Sequence, residues 1–110
     1  MRYRNVIGKS GEDFATSVLE SNGYEIMERN YRTRLGEIDI IARKDGTLHF
    51  VEVKTRTQDQ YGSPADSITR EKKEHIRKVA QIYMSSTRIF WRRVSFDVFE
   101  VMTNMITDCI

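Results

Sequence analysis

The dipeptide Asp45-Gly46 constrains the fold of this chain more than any other short feature. It separates two runs in which apolar and polar residues alternate, GEIDIIARK at 36–44 and TLHFVEVKT at 47–55. Asp-Gly between two such runs predicts a tight β-hairpin, because both central residues of the favoured turn need a positive φ angle. We therefore expect two antiparallel strands joined by a two-residue turn.

A two-residue turn also fixes which residues face each other across the hairpin. Counting back from the turn places Asp39 opposite Glu52 and Glu37 opposite Lys54. Because side chains alternate along a strand, we expect these four to emerge on one face. The other face is apolar and needs a covering helix; it carries Ile38, Ile40, Ala42, Val51 and Val53.

Two carboxylates directly opposite each other on a sheet repel, so Asp39 and Glu52 require a positive partner. A divalent cation would satisfy both, with the backbone carbonyl of Val53 nearby and waters completing the octahedron that Mg²⁺ or Mn²⁺ prefers. Lys54 could then orient an attacking water and stabilise a phosphate oxygen, which is the machinery for hydrolysing a phosphodiester. The alternative is a buried salt-bridge network with Lys54 and no metal.

The rest of the chain predicts two helices and two further strands. Ser10 is typical of an N-cap and Gly23 of a C-terminal stop, which predicts a first helix over 11–22. The second helix is expected over 69–84, and its apolar stripe is Ile76, Val79, Ala80 and Tyr83. Strands are expected within 24–32, 35–43, 47–55 and 92–102, and a polar surface loop over 58–67.

The predicted order of elements is therefore helix, three strands, helix, strand. This order favours an α/β fold in which helices flank a mixed β-sheet. At 110 residues the chain has the length of one ordinary domain, so we expect a single domain over 1–110.

Composition excludes several classes of protein. The chain is 31% charged and its apolar stretches are far shorter than the roughly 20 residues that span a bilayer, so we expect no membrane segment. Cys109 is the only cysteine, which excludes an internal disulfide and a multi-cysteine zinc site. With no secretory signal, a cytoplasmic location is expected. The net charge of +2 does not by itself indicate a nucleic-acid-binding protein.

The ordered set of acids and lysine resembles a known superfamily. Asp39 followed by Glu52-x-Lys54 is similar to the core of the PD-(D/E)xK nucleases, although Ile38 stands where the superfamily's name has a proline. The string GEIDIIARKDGTLHFVEVKTR, with GKSGED before it and YGSPADSITREKK after it, resembles the YraN-type family of bacterial proteins. That family is related in fold to archaeal Holliday junction resolvases, and the match covers residues 8 to 100.

The resemblance implies a restriction-endonuclease-like fold and a Mg²⁺- or Mn²⁺-dependent endonuclease acting on DNA, with branched or structured DNA as a candidate substrate. It implies these catalytic residues: Glu12, Asp39, Glu52 and Lys54. Asp39, Glu52 and Val53 would hold the metal. Expected contacts to the nucleic acid are Lys9, Arg34, Arg56, Tyr61 and Ser63. Cutting both strands of a four-way junction would require a homodimer. The alternative is a catalytically silent nucleic-acid- or partner-binding module on the same fold.

Overall fold

The computed structural model describes residues 2–57 and 68–103, with side chains described over 10–56 and 68–102. Its elements are α1 (Arg2–Ser21), β1 (Glu25–Thr33), β2 (Gly36–Lys44), β3 (Thr47–Thr57), α2 (Arg70–Thr87) and β4 (Arg93–Thr103). They follow the predicted order. The four strands form one mixed sheet in the order β1-β2-β3-β4, antiparallel except for the parallel pair β3 and β4.

The predicted hairpin between β2 and β3 is confirmed near its turn. Asp45 and Gly46 have φ angles of 51° and 79°, as a turn with two left-handed residues requires. The ladder runs from the pair Lys44–Thr47 to Ile40–Val51, in the predicted register. The turn chemistry therefore set the register of the inner part of both strands.

The predicted start of the first helix is wrong, because α1 begins at Arg2 and Ser10 lies inside it rather than capping it. Gly11 has a packing role instead. A Cβ atom on Gly11 would lie 2.5 Å from the Thr55 hydroxyl oxygen, closer than side-chain atoms can approach. Glycine is thus required here for α1 to lie close to β3, a reason that a sequence pattern alone does not distinguish from a helix boundary.

The end of α1 and the start of α2 agree with the sequence, whereas α2 runs to Thr87, three residues beyond its predicted end. Gly23 has a φ of 86°, and the N–H groups of Gly23 and Tyr24 donate to Glu20 and Leu19 carbonyls, which closes the C-terminus of α1. The hydroxyl of Thr69 accepts from the Lys72 N–H at 3.1 Å and caps α2. The buried residues of α2 are those predicted: Ile76, Val79, Ala80 and Tyr83.

The two helices cover opposite faces of the sheet. α1 packs through Ala15 and Leu19 on a cluster made by Ile40, Ala42 and Val51. The stripe of α2 packs on a second cluster, whose sheet residues are Ile38, Ile41, Leu48 and Phe50. The prediction that Ile38 shares a face with Ile40 is therefore wrong.

Other predictions fall on residues that the structure does not describe. The expected loop over 58–67 and Cys109 both lie outside the described ranges. Neither of the two described helices combines the length and the apolar character needed to cross a lipid bilayer.

Candidate functional site

The site begins at Asn30 on β1 and Asp39 on β2, where the side chains of both strands switch from one face of the sheet to the other. Arg29 pairs with Ile40 and Tyr31 pairs with Ile38, and Asn30 and Asp39 lie between these pairs. Asn30 has a φ of 52°, in the left-handed region. On β2 the side chains before and after Asp39 enter different cores, so the regular alternation is broken at this residue. The strand geometry is thus irregular at Asp39, opposite Asn30.

The break in alternation directs the Asp39 side chain toward β3. Its carboxylate accepts a hydrogen bond from the backbone N–H of Val53 at 2.8 Å, just beyond the last ladder pair, Ile40–Val51. In an extended strand the N–H and C=O of one residue point to the same neighbour, so the Val53 carbonyl also faces β2. Asp39 and the Val53 carbonyl are therefore on the same side of β3, as a shared metal site requires.

Glu52 is the most deeply placed acidic group of the site. The residue is 4% exposed, and its Oε1 atom has no hydrogen-bond partner. Burial, repulsion from Asp39 and a hydrogen bond between the two carboxyl groups raise the pKa of Glu52 to about 7, against the attraction of Lys72. Asp39 and Glu52 thus lie close together, as predicted, although the ladder of β2 and β3 ends at Ile40–Val51, and Glu52 has too little positive charge around it to ionise freely.

Glu12 approaches this acidic pair from α1. It lies next to Gly11, at the closest approach of α1 to β3, and it is half-buried with an unpartnered Oε1 atom. Burial and then the Asp39 carboxylate raise the pKa of the Glu12 carboxyl, Arg29 opposes the shift, and Glu37 adds to it. The charge of Asp39 therefore affects the protonation of Glu12, which reaches the site from the helix on one face of the sheet.

Lys72 is a residue of the site that the sequence analysis missed. Its Nζ atom lies 3.5 Å from the Glu52 carboxylate, on the first turn of α2. The sequence does indicate that Lys72 lies near the core, because it is four residues before Ile76 and so continues the apolar stripe of α2 toward its N-terminus. A lysine at the end of an apolar stripe is placed to reach over the edge of the core.

The expected pairing of Lys54 with Glu37 is not observed. Lys54 follows Glu52 by two positions and shares its side of β3, where it is half-buried. In the described part of the chain no ion pair joins Lys54 to an acidic residue, whereas Glu37 pairs with Arg32 at 2.9 Å. The pair Glu37–Lys54 is absent from the observed ladder between β2 and β3. Glu37 is thus paired with Arg32 at the start of β2, and Lys54 carries its charge on the side of Glu52.

The expected nucleic-acid contacts are only partly described. Arg34 is exposed in the turn between β1 and β2. Arg56 is mostly buried and forms an ion pair with Glu100 of β4. Lys9 lies in α1, but its side chain is outside the described set, and Tyr61 and Ser63 lie outside the described residues altogether. Their role toward a nucleic acid stays a prediction.

The donor set fits a hard divalent cation held by two carboxylates and a carbonyl. The buried Oε1 atom of Glu52 has no hydrogen-bond partner, and the Asp39 carboxylate repels the charge of Glu52. Oxygen ligands of this type suit Mg²⁺ and Mn²⁺. Over 10–56 and 68–102, no three Asp, Glu, His or Cys side chains converge closely enough to form a complete metal site on their own. Water molecules would therefore have to supply the remaining ligands.

The fold and the site together define an α/β protein whose mixed sheet carries the buried Glu52 beside the half-buried Asp39 between two helices, with lysines on the side of α2. The family described as "Uncharacterised protein family UPF0102" matches residues 11–101. The chain belongs to this family. The match contains every described residue of the site, from Glu12 on α1 to Lys72 on α2.

Individual relatives agree with the family match. A UPF0102 protein of Dictyoglomus turgidum is 45% identical over 96 residues, which cover 87% of this chain and 81% of the relative. A UPF0102 protein of Alkaliphilus oremlandii is 48% identical over 98 residues, covering 86% and 83% of the two chains. One of Persephonella marina is 44% identical over 99 residues, covering 90% and 85%.

Proposed function

We propose that this protein is a metal-dependent nuclease that hydrolyses phosphodiester bonds in DNA. The observation that carries the proposal is the pair of half-buried Asp39 and buried Glu52, in which one oxygen of Glu52 has no hydrogen-bond partner. Two acids held together without enough positive charge are unfavourable in a protein that uses them only for stability. They are favourable in a site that binds a dication.

The proposed metal ligands are Asp39, Glu52 and the Val53 carbonyl. A bound Mg²⁺ or Mn²⁺ ion would polarise a phosphate oxygen and make water more acidic. The Val53 N–H supports the proposal, because its hydrogen bond to Asp39 fixes the orientation of that carboxylate before any ion arrives. Binding then requires that Glu52 give up its proton.

The remaining polar groups of the site have separate roles in this proposal. Lys54 orients the attacking water and stabilises charge on the phosphate. Lys72 keeps Glu52 partly ionised before an ion binds, since its ammonium group is 3.5 Å away. Glu12, with one buried unpartnered oxygen, accepts a hydrogen bond or a proton from water at the α1 side of the site.

DNA as the substrate rests on the resemblance to the PD-(D/E)xK nucleases and the Holliday junction resolvases. Branched or structured DNA is the substrate class that this resemblance favours, and a resolvase role would need a symmetric homodimer. Arg34 and Arg56, with Lys9 on α1, are proposed to hold phosphates without reading sequence. Since Glu100 already neutralises Arg56, a phosphate at that position would have to replace the carboxylate.

A cleavage assay with matched variants tests the proposal. Purified protein is incubated with Mn²⁺ and labelled four-way junction, flap, duplex and single-stranded DNA. We expect cleavage of at least one structured substrate, and its loss in Glu52→Gln and Lys54→Ala. Glu74→Gln, which changes an exposed acid of α2, is the matched control and should cleave normally. Cleavage that persists in Glu52→Gln would show that another nuclease is responsible.

A second candidate function is a catalytically silent module that binds nucleic acid or a partner protein. The ion pair between Lys72 and Glu52 favours it, because a lysine can partly replace a metal ion as the partner of a buried acid. Under this alternative no substrate is cleaved, and Mg²⁺ or Mn²⁺ does not raise the melting temperature. Stabilisation by Mn²⁺ that disappears in Glu52→Gln would exclude it.

A further inference from the structure

A pocket of about 280 Å³ lies between α2 and the edge strand β4. Its apolar lining consists of Phe50, Ile68, Ile76, Phe96 and Val98. Glu52 is part of the same lining, so the pocket adjoins the acidic pair, and Asp97 completes the lining with its carboxylate held by His49 and Ser95 at 2.6 Å each. A molecule in this pocket would therefore lie directly beside the candidate catalytic groups.

Phe96 gives the pocket a flat aromatic surface. Its ring stacks on Phe50 with a centroid distance of 5.4 Å and an interplanar angle of 22°. Phe50 is 1% exposed, whereas Phe96 is 47% exposed. An aromatic ring that a buried partner holds in place while much of its surface faces solvent is a platform on which a nucleobase can stack.

Lys73 and Arg77 place positive charge on the same pocket. They lie one turn apart on α2, line the pocket and are both exposed. Within 10–56 and 68–102 neither forms an ion pair with an acidic side chain, unlike Lys72 and Arg70 on the same helix. Cations without an acidic partner next to an aromatic platform are complementary to a phosphate attached to a stacked base.

We propose that this pocket binds an unpaired nucleotide of a DNA strand, with its base on Phe96 and its phosphate at Lys73 and Arg77. A base inside a duplex is covered on both faces by its neighbours and cannot stack on a protein ring unless it leaves the helix. The inference rests on the proposed function, because it specifies which DNA the proposed nuclease would cut. That DNA would have unpaired nucleotides near the cleavage site. The bound strand would bring its backbone beside Asp39 and Glu52.

Binding measured without cleavage tests the pocket. The full chain is titrated into fluorescent oligothymidine, a flap and a blunt duplex in EDTA, and anisotropy is recorded. We expect the oligothymidine and the flap to bind more tightly than the duplex. Phe96→Leu keeps the apolar volume but removes the flat ring, and it should weaken binding of oligothymidine about five-fold or more, while Phe96→Tyr should restore it.

Matched controls separate the pocket from general effects. Phe90→Leu changes a ring that is 92% exposed and outside the pocket lining, and it should bind as the unchanged protein does. Lys73→Gln should lower the salt dependence of binding by a slope of about 0.7, whereas Lys78→Gln, elsewhere on α2, should lower it less. Sedimentation of Phe96→Leu in the absence of DNA serves as a further control.

The outcomes distinguish this inference from the proposed function. Phe96-dependent binding with no cleavage of any substrate would support the pocket and overturn the nuclease. Cleavage that is equal for blunt duplex and flap, and indifferent to Phe96→Leu, would overturn the pocket and leave the nuclease. Equal effects of Phe96→Leu and Phe90→Leu would overturn the pocket as well, and so would a change of oligomeric state in Phe96→Leu, because β4 would then be a protein interface.

Discussion

The Asp39 carboxylate accepts a hydrogen bond from the backbone N–H of Val53 at 2.8 Å, beyond Ile40–Val51, the last ladder pair of β2 and β3. One side chain thus replaces a backbone carbonyl as the partner of β3 and also stands beside Glu52. The hydrogen bond to Val53 and the repulsion from Glu52 have opposite effects on stability. Variants that remove one without the other can separate them.

Asp39→Asn should leave the metal-free protein equally stable or more stable, within about 1 kcal/mol, because an amide oxygen can still accept from Val53 and the repulsion is gone. Asp39→Ala should lower the free energy of unfolding by about 1–3 kcal/mol, since the Val53 N–H loses its acceptor. Urea denaturation in EDTA measures both. Equal destabilisation by the two substitutions would mean that the charge of Asp39 stabilises the fold through a salt bridge.

Glu52 should make stability depend on pH in a predictable direction. Its folded-state pKa of about 7 is above the ordinary value of 4.5, so the folded protein binds more protons than the unfolded chain between these values. The contribution of Glu52 to stability is therefore full below pH 4.5 and is lost as the pH rises to about 7. In urea denaturation at several pH values, the difference between the unchanged protein and Glu52→Gln should follow this trend. Parallel curves for the two proteins would contradict it.

Mg²⁺ or Mn²⁺ should stabilise the protein, and more strongly at pH 8 than at pH 6. The ion competes with the proton on Glu52, whose pKa is about 7, so binding tightens as that proton leaves. The melting temperature measured with and without Mn²⁺ should rise in the unchanged protein and in the control Glu74→Gln, but stay constant in Glu52→Gln. An equal rise in all three would indicate ion binding elsewhere.

Lys72→Gln should raise the pKa of Glu52 further, because the ammonium group at 3.5 Å is the main influence that lowers it. Carbon-13 NMR of the glutamate carboxyl groups across a pH titration would measure the change. Lys73→Gln, the neighbouring lysine that does not pair with Glu52, should leave this pKa in place. A pKa of Glu52 that is indifferent to Lys72 would show that the ion pair does not persist in solution.

Gly11→Ala should destabilise the protein even though alanine favours a helix by about 1 kcal/mol. Its Cβ would lie 2.5 Å from the Thr55 hydroxyl oxygen, and overpacking of this kind costs roughly 1–3 kcal/mol. The double variant with Thr55→Ala should recover most of the loss, since the clashing atom is removed. Urea denaturation of the two single variants and the double variant gives the coupling energy. Strictly additive effects would contradict close packing at this point.

Local chemistry accounts for the part of the fold that the sequence predicts well. The positive φ angles that Asp45-Gly46 tolerates fix the turn, and the helical spacing of Ile76 and Tyr83 fixes the buried face of α2. Both are properties of short segments. The same turn pairs β2 and β3 as far as Ile40 and Val51, the residues next to Asp39 and Glu52.

Features that depend on distant contacts were missed. The sequence places the start of α1 at Gly11, whereas the reason for a glycine there is its close approach to Thr55, a residue of another element. The face of Ile38 was misassigned because alternation breaks at Asp39, opposite the left-handed Asn30, and no rule of period two predicts a break. Lys72 was overlooked for the related reason that its partner, Glu52, lies across the core on β3.

The shared change of face at Asn30 and Asp39 has a consequence for the order of folding. Ile38 and Ile40 flank Asp39 and enter the cores under α2 and α1 respectively, so the backbone at Asp39 is fixed only when both helices have docked. We expect the two acids to come together late, after most apolar surface is already buried. Their mutual repulsion would then speed unfolding rather than slow folding, and a bound cation would act chiefly by prolonging the lifetime of the native state.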